Sequence, residues 1–275
     1  MSQCALAAHE TLPDKSCALS SIQAQFLSGA SPEKPITYTV RPLSSGRRFV
    51  VRLVLASQSQ RTVVSATLTF ATTAARSSPA MTYAIKRETA PSLDAITLND
   101  LEPVTPIGPF MKFQRLPITY SSSSSPPDDS RAHTSPRPET GTTLSAAHIS
   151  PRLPNPSHHL IHTLGLLNLS DYHVLSTPLQ LSNLTFGLPA PDDATRTPTR
   201  HTAKLFTSLN HAVYIHDLDG FRADEMCYVE GRSGWAGQGR AYVTTRIFGA
   251  DGKLRASCAQ EAYYVLDEAA VKSRI

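Results

Sequence analysis

Apolar and polar positions alternate along two separated regions of the chain, and this period of two predicts strands. In Ala18 to Leu27, Ile22, Ala24 and Phe26 fall on one face and Gln23 and Gln25 on the other. Ile36 to Val40 is β-branched and aromatic. After a Ser44-Ser45-Gly46 turn comes Arg47 to Ala56, and after Gln58 to Arg61 comes Thr62 to Phe70. Short turns between runs of this length predict an antiparallel meander. A short apolar patch in residues 1–12 is expected to be the last turns of a helix, stopped by Pro13. The second region, Phe206 to Leu266, holds several further strand-like runs separated by short Gly/Asp turns.

Between these regions the pattern changes. Met81 to Leu101 has no sustained period, and Pro103 to Phe110 reads as an extended connector. A Ser/Pro/Thr-rich tract from Ser121 to about Thr143 has too little apolar area to offset the entropy of ordering it. The expected organisation is an N-terminal module over 1–115, a Ser/Pro-rich linker over 116–150 and a C-terminal module over 151–275. In the last of these, His158 to Leu181 predicts a helix, because Leu160, Leu164, Leu167, Asp171, Val174 and Leu175 recur at spacings of three and four. Thr177-Pro178 marks its end or a kink near it, and 187–201 is a loop.

The halves also echo one another. Gly46-Arg47-Arg48-Phe49-Val50 and Gly239-Arg240-Ala241-Tyr242-Val243 share Gly-Arg-x-aromatic-Val, and each leads into a strand, a polar turn and a second strand. Two copies of one α+β unit would produce this echo.

Composition narrows the classes. The 275 residues, 40% of them apolar, can bury one large core or two ordinary ones. The net charge of +4, from 26 basic and 22 acidic residues, includes no Lys/Arg cluster that would read as a stripe for nucleic acid. It is compatible with a phosphorylated, acidic ligand. Cys4, Cys17, Cys227 and Cys258 form no CxxC pair, residues 1–15 lack the apolar core of a secretory signal, and no window approaches 18 apolar residues. An intracellular protein with reduced thiols and no membrane span is expected. Ser273-Arg274-Ile275 resembles the Ser-Lys-Leu class of peroxisomal addresses.

Candidate chemistry concentrates in the second strand-rich region. His211 and His216 do not have metal-ligand spacing, and His158, His159 and His162 belong to the helix end, so no metal is expected. No GxSxG elbow is present, and no cysteine lies where a His would activate it. What remains is a water oriented by Asn210, Ser233 and Gln260, which lie on three successive segments that an antiparallel sheet could bring together. None of the three is a strong general base. Taken singly, each also reads as a strand residue bonded to backbone.

The C-terminal motifs Ser208-Leu209-Asn210-His211, Phe221-Arg222-Ala223-Asp224-Glu225, Glu230-Gly231-Arg232-Ser233-Gly234, Gly239-Arg240 and Ala259-Gln260-Glu261, with Leu169-Ser170-Asp171-Tyr172 in the helix, resemble the acyl-CoA thioesterase II family. Ser45-Gly46-Arg47-Arg48-Phe49 extends the likeness to the first half. The resemblance implies an α+β tandem (double) hotdog, with antiparallel sheets wrapped around central helices. It also implies hydrolysis of a fatty acyl-CoA thioester by a water that an Asp, a Ser or Thr and a Gln orient. Those positions transfer to Asn210, Ser233 and Gln260, with acyl-CoA as the partner, no cofactor, no nucleic acid, and a possible homo-oligomer. Two departures stand out. Asn210 replaces the one carboxylate, which is expected to cost on the order of 10²-fold or more in rate. The first module supplies only the end of its helix. The alternatives are a hotdog protein that binds an acyl or polyketide thioester without hydrolysing it, and an enoyl-thioester hydratase or dehydratase using His211 and His216. Alternation places those two histidines on opposite faces.

Overall fold

The computed structural model describes residues 1–87, 102–103, 110–121, 137–153, 159–172, 174–188, 199–200, 202–217 and 221–268. The first helix, α1 (Ser2–Glu10), buries Cys4, Ala5, Ala8 and His9. Strands β1 (Ala18–Phe26), β2 (Thr37–Ser45), β3 (Phe49–Gln58) and β4 (Arg61–Ala71) follow, with a single-turn helix α2 (Thr73–Arg76) after them. Along β3, buried Val50, Arg52, Val54 and Ala56 alternate with more exposed positions, as the sequence period requires.

The second half opens with a two-residue strand β5 (Glu102–Pro103), then β6 (Met111–Tyr120) and β7 (Gly141–Ile149). Next come helices α3 (His159–Asp171) and α4 (Ser176–Leu181). Strands β8 (Ala203–Ile215), β9 (Cys227–Gly237), β10 (Arg240–Gly249) and β11 (Leu254–Leu266) complete it. All eleven strands form one antiparallel sheet in the order β2-β3-β4-β1-β8-β11-β10-β9-β7-β6-β5. The seam between the halves is the β1–β8 pair, from Ser21 opposite Tyr214 to Gln25 opposite Asn210. Helices α1 and α3 lie together on the inner face, where the Ser2 hydroxyl donates to the Leu164 carbonyl at 3.1 Å. This is the tandem hotdog arrangement expected from the sequence.

The echoed strands occupy equivalent places. Running outward from the seam, β1, β4, β3 and β2 correspond to β8, β11, β10 and β9. Phe49 and Tyr242 face outward from β3 and β10, and Val50 and Val243 face the core.

Three local expectations are corrected. The range 116–150 is not linker throughout: the end of β6 and all of β7 fall within it, paired with each other and, through β7, with β9. Its low-complexity centre, 122–136, lies outside the described residues, as do 104–109 of the connector, 189–198 of the loop, His158 and the tripeptide 273–275. The helix expected over 158–181 is two helices, and Pro178 lies in the first turn of α4 instead of ending a longer one. The missing N–H costs nothing there, because first-turn amides have no intrahelical acceptor. His162, placed at an exposed helix end by the sequence reading, is buried and accepts a hydrogen bond from the Ala223 amide at 3.3 Å.

Helix α3 packs closely against the segment before β9. A Cβ on Gly165 would stand 2.5 Å from the Ala223 Cβ and 3.3 Å from an Ile149 side-chain carbon. Asp224, with no exposed side-chain surface, holds this segment by accepting the Leu153 amide at 2.8 Å and both the Nε and an outer nitrogen of Arg222 at 3.0 and 2.8 Å. The Gly165→Ala variant is expected to lose about 1–3 kcal/mol of stability through overpacking, read as a lowered urea midpoint with an unchanged slope.

Candidate active site at the end of helix α3

The site is built where the last turn of α3 meets β8 and β11. Gln260 of β11 and His211 of β8 are directly opposed across the sheet, both about 1% exposed and on the inner face. Between Glu261 and Ala262 the register slips, so Asn210 opposes Glu261 but Ser208 opposes Ala262. The extra residue restores Ser208 to the inner face beside Gln260, as a β-bulge does. A single amide nitrogen, Gln260 Nε2, then donates to Ser208 Oγ at 2.7 Å and to Asp171 Oδ1 at 2.9 Å. His211 Nδ1 lies 3.5 Å from the same carboxylate oxygen, an electrostatic contact beyond good hydrogen-bond length.

Asp171 is the cluster's opening to solvent. Its side chain is 47% exposed while that of His211 is fully enclosed. Asp171 and Ser208 line a cleft of about 320 Å³ whose apolar walls include Met111, Tyr172, Leu175 and Phe206. Burial would raise the Asp171 pKa. The His211 contact, when the ring is protonated, and the hydrogen bond from Gln260 outweigh it and hold the carboxyl below its ordinary value. Gln260 Oε1 and His211 Nε2 are buried and have no hydrogen-bond partner among the described residues. Cys258 lies close by, but burial, aided by Asp171, pushes its thiol up to about 12, so it stays protonated and a poor nucleophile at neutral pH.

The three residues expected to orient a water do not converge. Gln260 belongs to the cluster just described. Asn210 goes to the other face of the sheet, where its Nδ2 donates to Glu261 Oε2 at 3.1 Å and its Oδ1 accepts the Glu261 amide at 3.2 Å. Ser233 shares the inner face with Gln260 but lies on β9. Val243 of β10 stands between them, a separation of two strand spacings, ~10 Å. Its hydroxyl is directed at the Tyr242 and Trp235 carbonyls at 3.1 and 3.3 Å, and it lines a different cleft, with Glu139, Pro178 and Ser182. The physical reason is register: with Gln260 opposite His211, alternation turns Asn210 to the other face, and Ser233 is kept away by the intervening strand β10. His216 lies past the end of β8 on Ser257 Oγ at 2.9 Å, so it does not pair with His211. Among the described residues no group of three or more His, Cys, Asp or Glu side chains is placed to hold a metal.

Asp171 and Ser208 were inside recognised motifs but carried no assigned role. The available signal was Asp171 itself, a carboxylate set into the apolar register of a helix.

Only the second half builds this cluster. Val243 pairs with Gln260, which pairs with His211; in the first half Val50 pairs with Phe70, which pairs with Leu19. Phe70 and Leu19 are buried, and the His9 ring of α1 lies 6.4 Å from that of Phe70. The corresponding place in the first half is therefore filled core.

A one-sheet tandem hotdog with a polar cluster at one helix end defines a class, and comparison places the chain within it. Residues 101–264 match the family described as acyl-CoA thioesterase C-terminal domain, and residues 1–71 that described as acyl-CoA thioesterase N-terminal domain. The chain belongs to this acyl-CoA thioesterase family. It is similar in fold to the acyl-CoA thioesterase II TesB2 of Mycobacterium marinum, with a TM-score of 0.69 and 21% identity over 97% of this chain and 88% of that one. The tesB protein of Mycobacterium avium subs paratuberculosis gives 0.65 and 16%, covering 96% and 84%. Human acyl-coenzyme A thioesterase 8 is 39% identical over 62 residues, which are 22% of this chain and 19% of that protein. Among the described residues no helix is long and apolar enough to cross a membrane.

Because the Asp171 pKa is lowered by folding, its contribution to stability is complete above the ordinary value of 3.8 and is lost as pH falls through the folded value. The difference in melting temperature between the protein and Asp171→Asn is expected to shrink as pH falls below about 4, measured by thermal scans from about pH 5 downward.

Proposed function

We propose that the protein is a thioesterase of the TesB type, hydrolysing an acyl-CoA thioester in the cleft at the end of α3. The reading is carried by one observation: the Gln260 amide holds a carboxylate and a hydroxyl together at the mouth of that cleft. Asp171 orients the attacking water and takes its proton as oxygen bonds to the thioester carbonyl carbon. The C–S bond then breaks, the acid is released, CoA leaves as a thiolate, and the proton held by Asp171 passes to that thiolate through solvent, restoring the carboxylate. Ser208 Oγ, as donor or acceptor, fixes the water or the carbonyl oxygen. Gln260 is a positioning residue, since it is enclosed behind the two groups that face the cleft. Asp171 thus supplies the carboxylate that Asn210 does not.

A pKa held below the ordinary carboxylate range makes Asp171 available as a base at neutral pH but weak in that role. This favours a second reading in which the cleft binds an acyl thioester and turns it over very slowly or not at all. His211 supports no hydratase reading, because its ring is enclosed and does not line the cleft.

Free-CoA release from a series of acyl-CoA thioesters separates the two readings. Asp171→Asn is expected to lower kcat by roughly 10²–10⁴-fold with KM little altered, and Gln260→Ala to lower it less. Asn210→Asp should change turnover by under about three-fold, since its side chain meets Glu261 on the far face. No release by the parent protein, together with retained binding of an acyl-CoA, would establish the binding reading. A large gain from Asn210→Asp with no loss from Asp171→Asn would return the catalytic role to Asn210, Ser233 and Gln260.

A further inference from the structure

Behind the Met111–Tyr172 wall of the cleft is a second, smaller chamber between the helices and the inner face of β6, β7, β9 and β10. Its volume is about 20 Å³, room for about one water-sized group. The two spaces share Met111 and Tyr172, so only these two side chains stand between the thioester position and the chamber. An acyl chamber for long fatty chains would be large and apolar. This one is small, and Thr143, Ser145, Thr177, Gln180 and Thr245 contribute to its lining.

The polar groups are not all engaged elsewhere. Thr143 Oγ1 is 3.1 Å from Thr177 Oγ1 and 3.3 Å from the Gly231 carbonyl, and Gln180 donates to Ser176 Oγ at 2.9 Å. The Thr245 hydroxyl is different: the residue is 2% exposed and its Oγ1 has no hydrogen-bond partner among the described residues. Gly231 keeps the remaining space open. A Cβ there would come within 2.7 Å of both threonine hydroxyls.

A methyl group entering this chamber would cover the Thr245 hydroxyl and leave it unpaired, whereas an oxygen on the acyl group would pair it. Sites that hydrogen-bond a substrate oxygen reject the analogue lacking it far more strongly than apolar pockets reject a missing methylene. We propose that this chamber takes the oxygen of a short hydroxyacyl or oxoacyl thioester whose carbons lie in the larger cleft, with Thr245 as the specificity-determining residue. The inference rests on thioester binding with the reacting carbonyl at Asp171, and it names the substrate class of that site.

The test is an affinity measurement with non-hydrolysable thioethers, so that it does not depend on turnover. S-butyl-CoA, S-(3-hydroxybutyl)-CoA, S-(3-oxobutyl)-CoA and S-hexadecyl-CoA are titrated calorimetrically into the 275-residue protein, Thr245→Val and Thr245→Ser. One or both oxygen-bearing four-carbon analogues should bind roughly ten-fold or more tightly than S-butyl-CoA, and S-hexadecyl-CoA more weakly than either. The advantage should collapse to within about two-fold in Thr245→Val and persist in Thr245→Ser. Tightest binding by S-hexadecyl-CoA, parity between S-butyl-CoA and both oxygenated analogues, or an advantage that survives in Thr245→Val would each overturn the inference. A selective protein that releases no CoA from the matching thioesters would sink the hydrolytic reading alone.

Discussion

The β1–β8 seam is the constraint on which the rest of the structure depends. It joins two antiparallel units into one sheet, and the sheet supplies a common inner face for α1 and α3. Antiparallel pairing leaves no choice of face once one residue pair is set. With Ala24 opposite His211, the whole inward set of the second half follows as far as the bulge at Ser208–Asn210. That one slip turns Ser208 toward Gln260 and leaves Asn210 with Glu261. The chemistry of the site is therefore set by backbone register as much as by residue identity.

The two halves show what a duplicated unit can do with one position. In the first, Phe70, Leu19 and His9 occupy the place that Gln260, His211 and Asp171 hold in the second. On the neighbouring inward row, Arg52 corresponds to Thr245. Arg52 is spent on structure, donating from Nε to Thr11 and from an outer nitrogen to the Ser44 carbonyl. The first half is closed mainly with apolar side chains, although His9 Nδ1 is also buried without a hydrogen-bond partner among the described residues. The second keeps three polar atoms in the interior, Gln260 Oε1, His211 Nε2 and Thr245 Oγ1, that have no hydrogen-bond partner among the described residues. Each such group lowers stability by about 1–3 kcal/mol, a pattern expected where binding and not packing shapes the residues.

Much of the fold was legible in the sequence because its cause is local. The alternation in Ile22, Ala24 and Phe26 and the β-branched runs through Val50–Ala56 and Val63–Phe70 specify half-buried strands whatever surrounds them. Strands β6 and β7 escaped because low-complexity sequence adjoins both, and because pairing partners, not a clean period, hold them: β7 is fixed by β9, about eighty or more residues away. The break between α3 and α4 escaped for a related reason. Pro178 can start a helix as well as end one, and only the turn it occupies tells which.

The sequence by itself determined the strand periods, the helical register that carries Asp171, the echo between the halves and the family likeness, because each is a property of neighbouring residues or of short motifs. Tertiary structure alone decided which polar side chains meet. Asn210 and Gln260 are both motif residues on adjacent strands, yet the pairing register that sets Gln260 opposite His211 sends Asn210 to the other face beside Glu261. Asp171, ordinary in its helix, becomes the exposed member of a buried cluster because α3 ends where β8 and β11 pair.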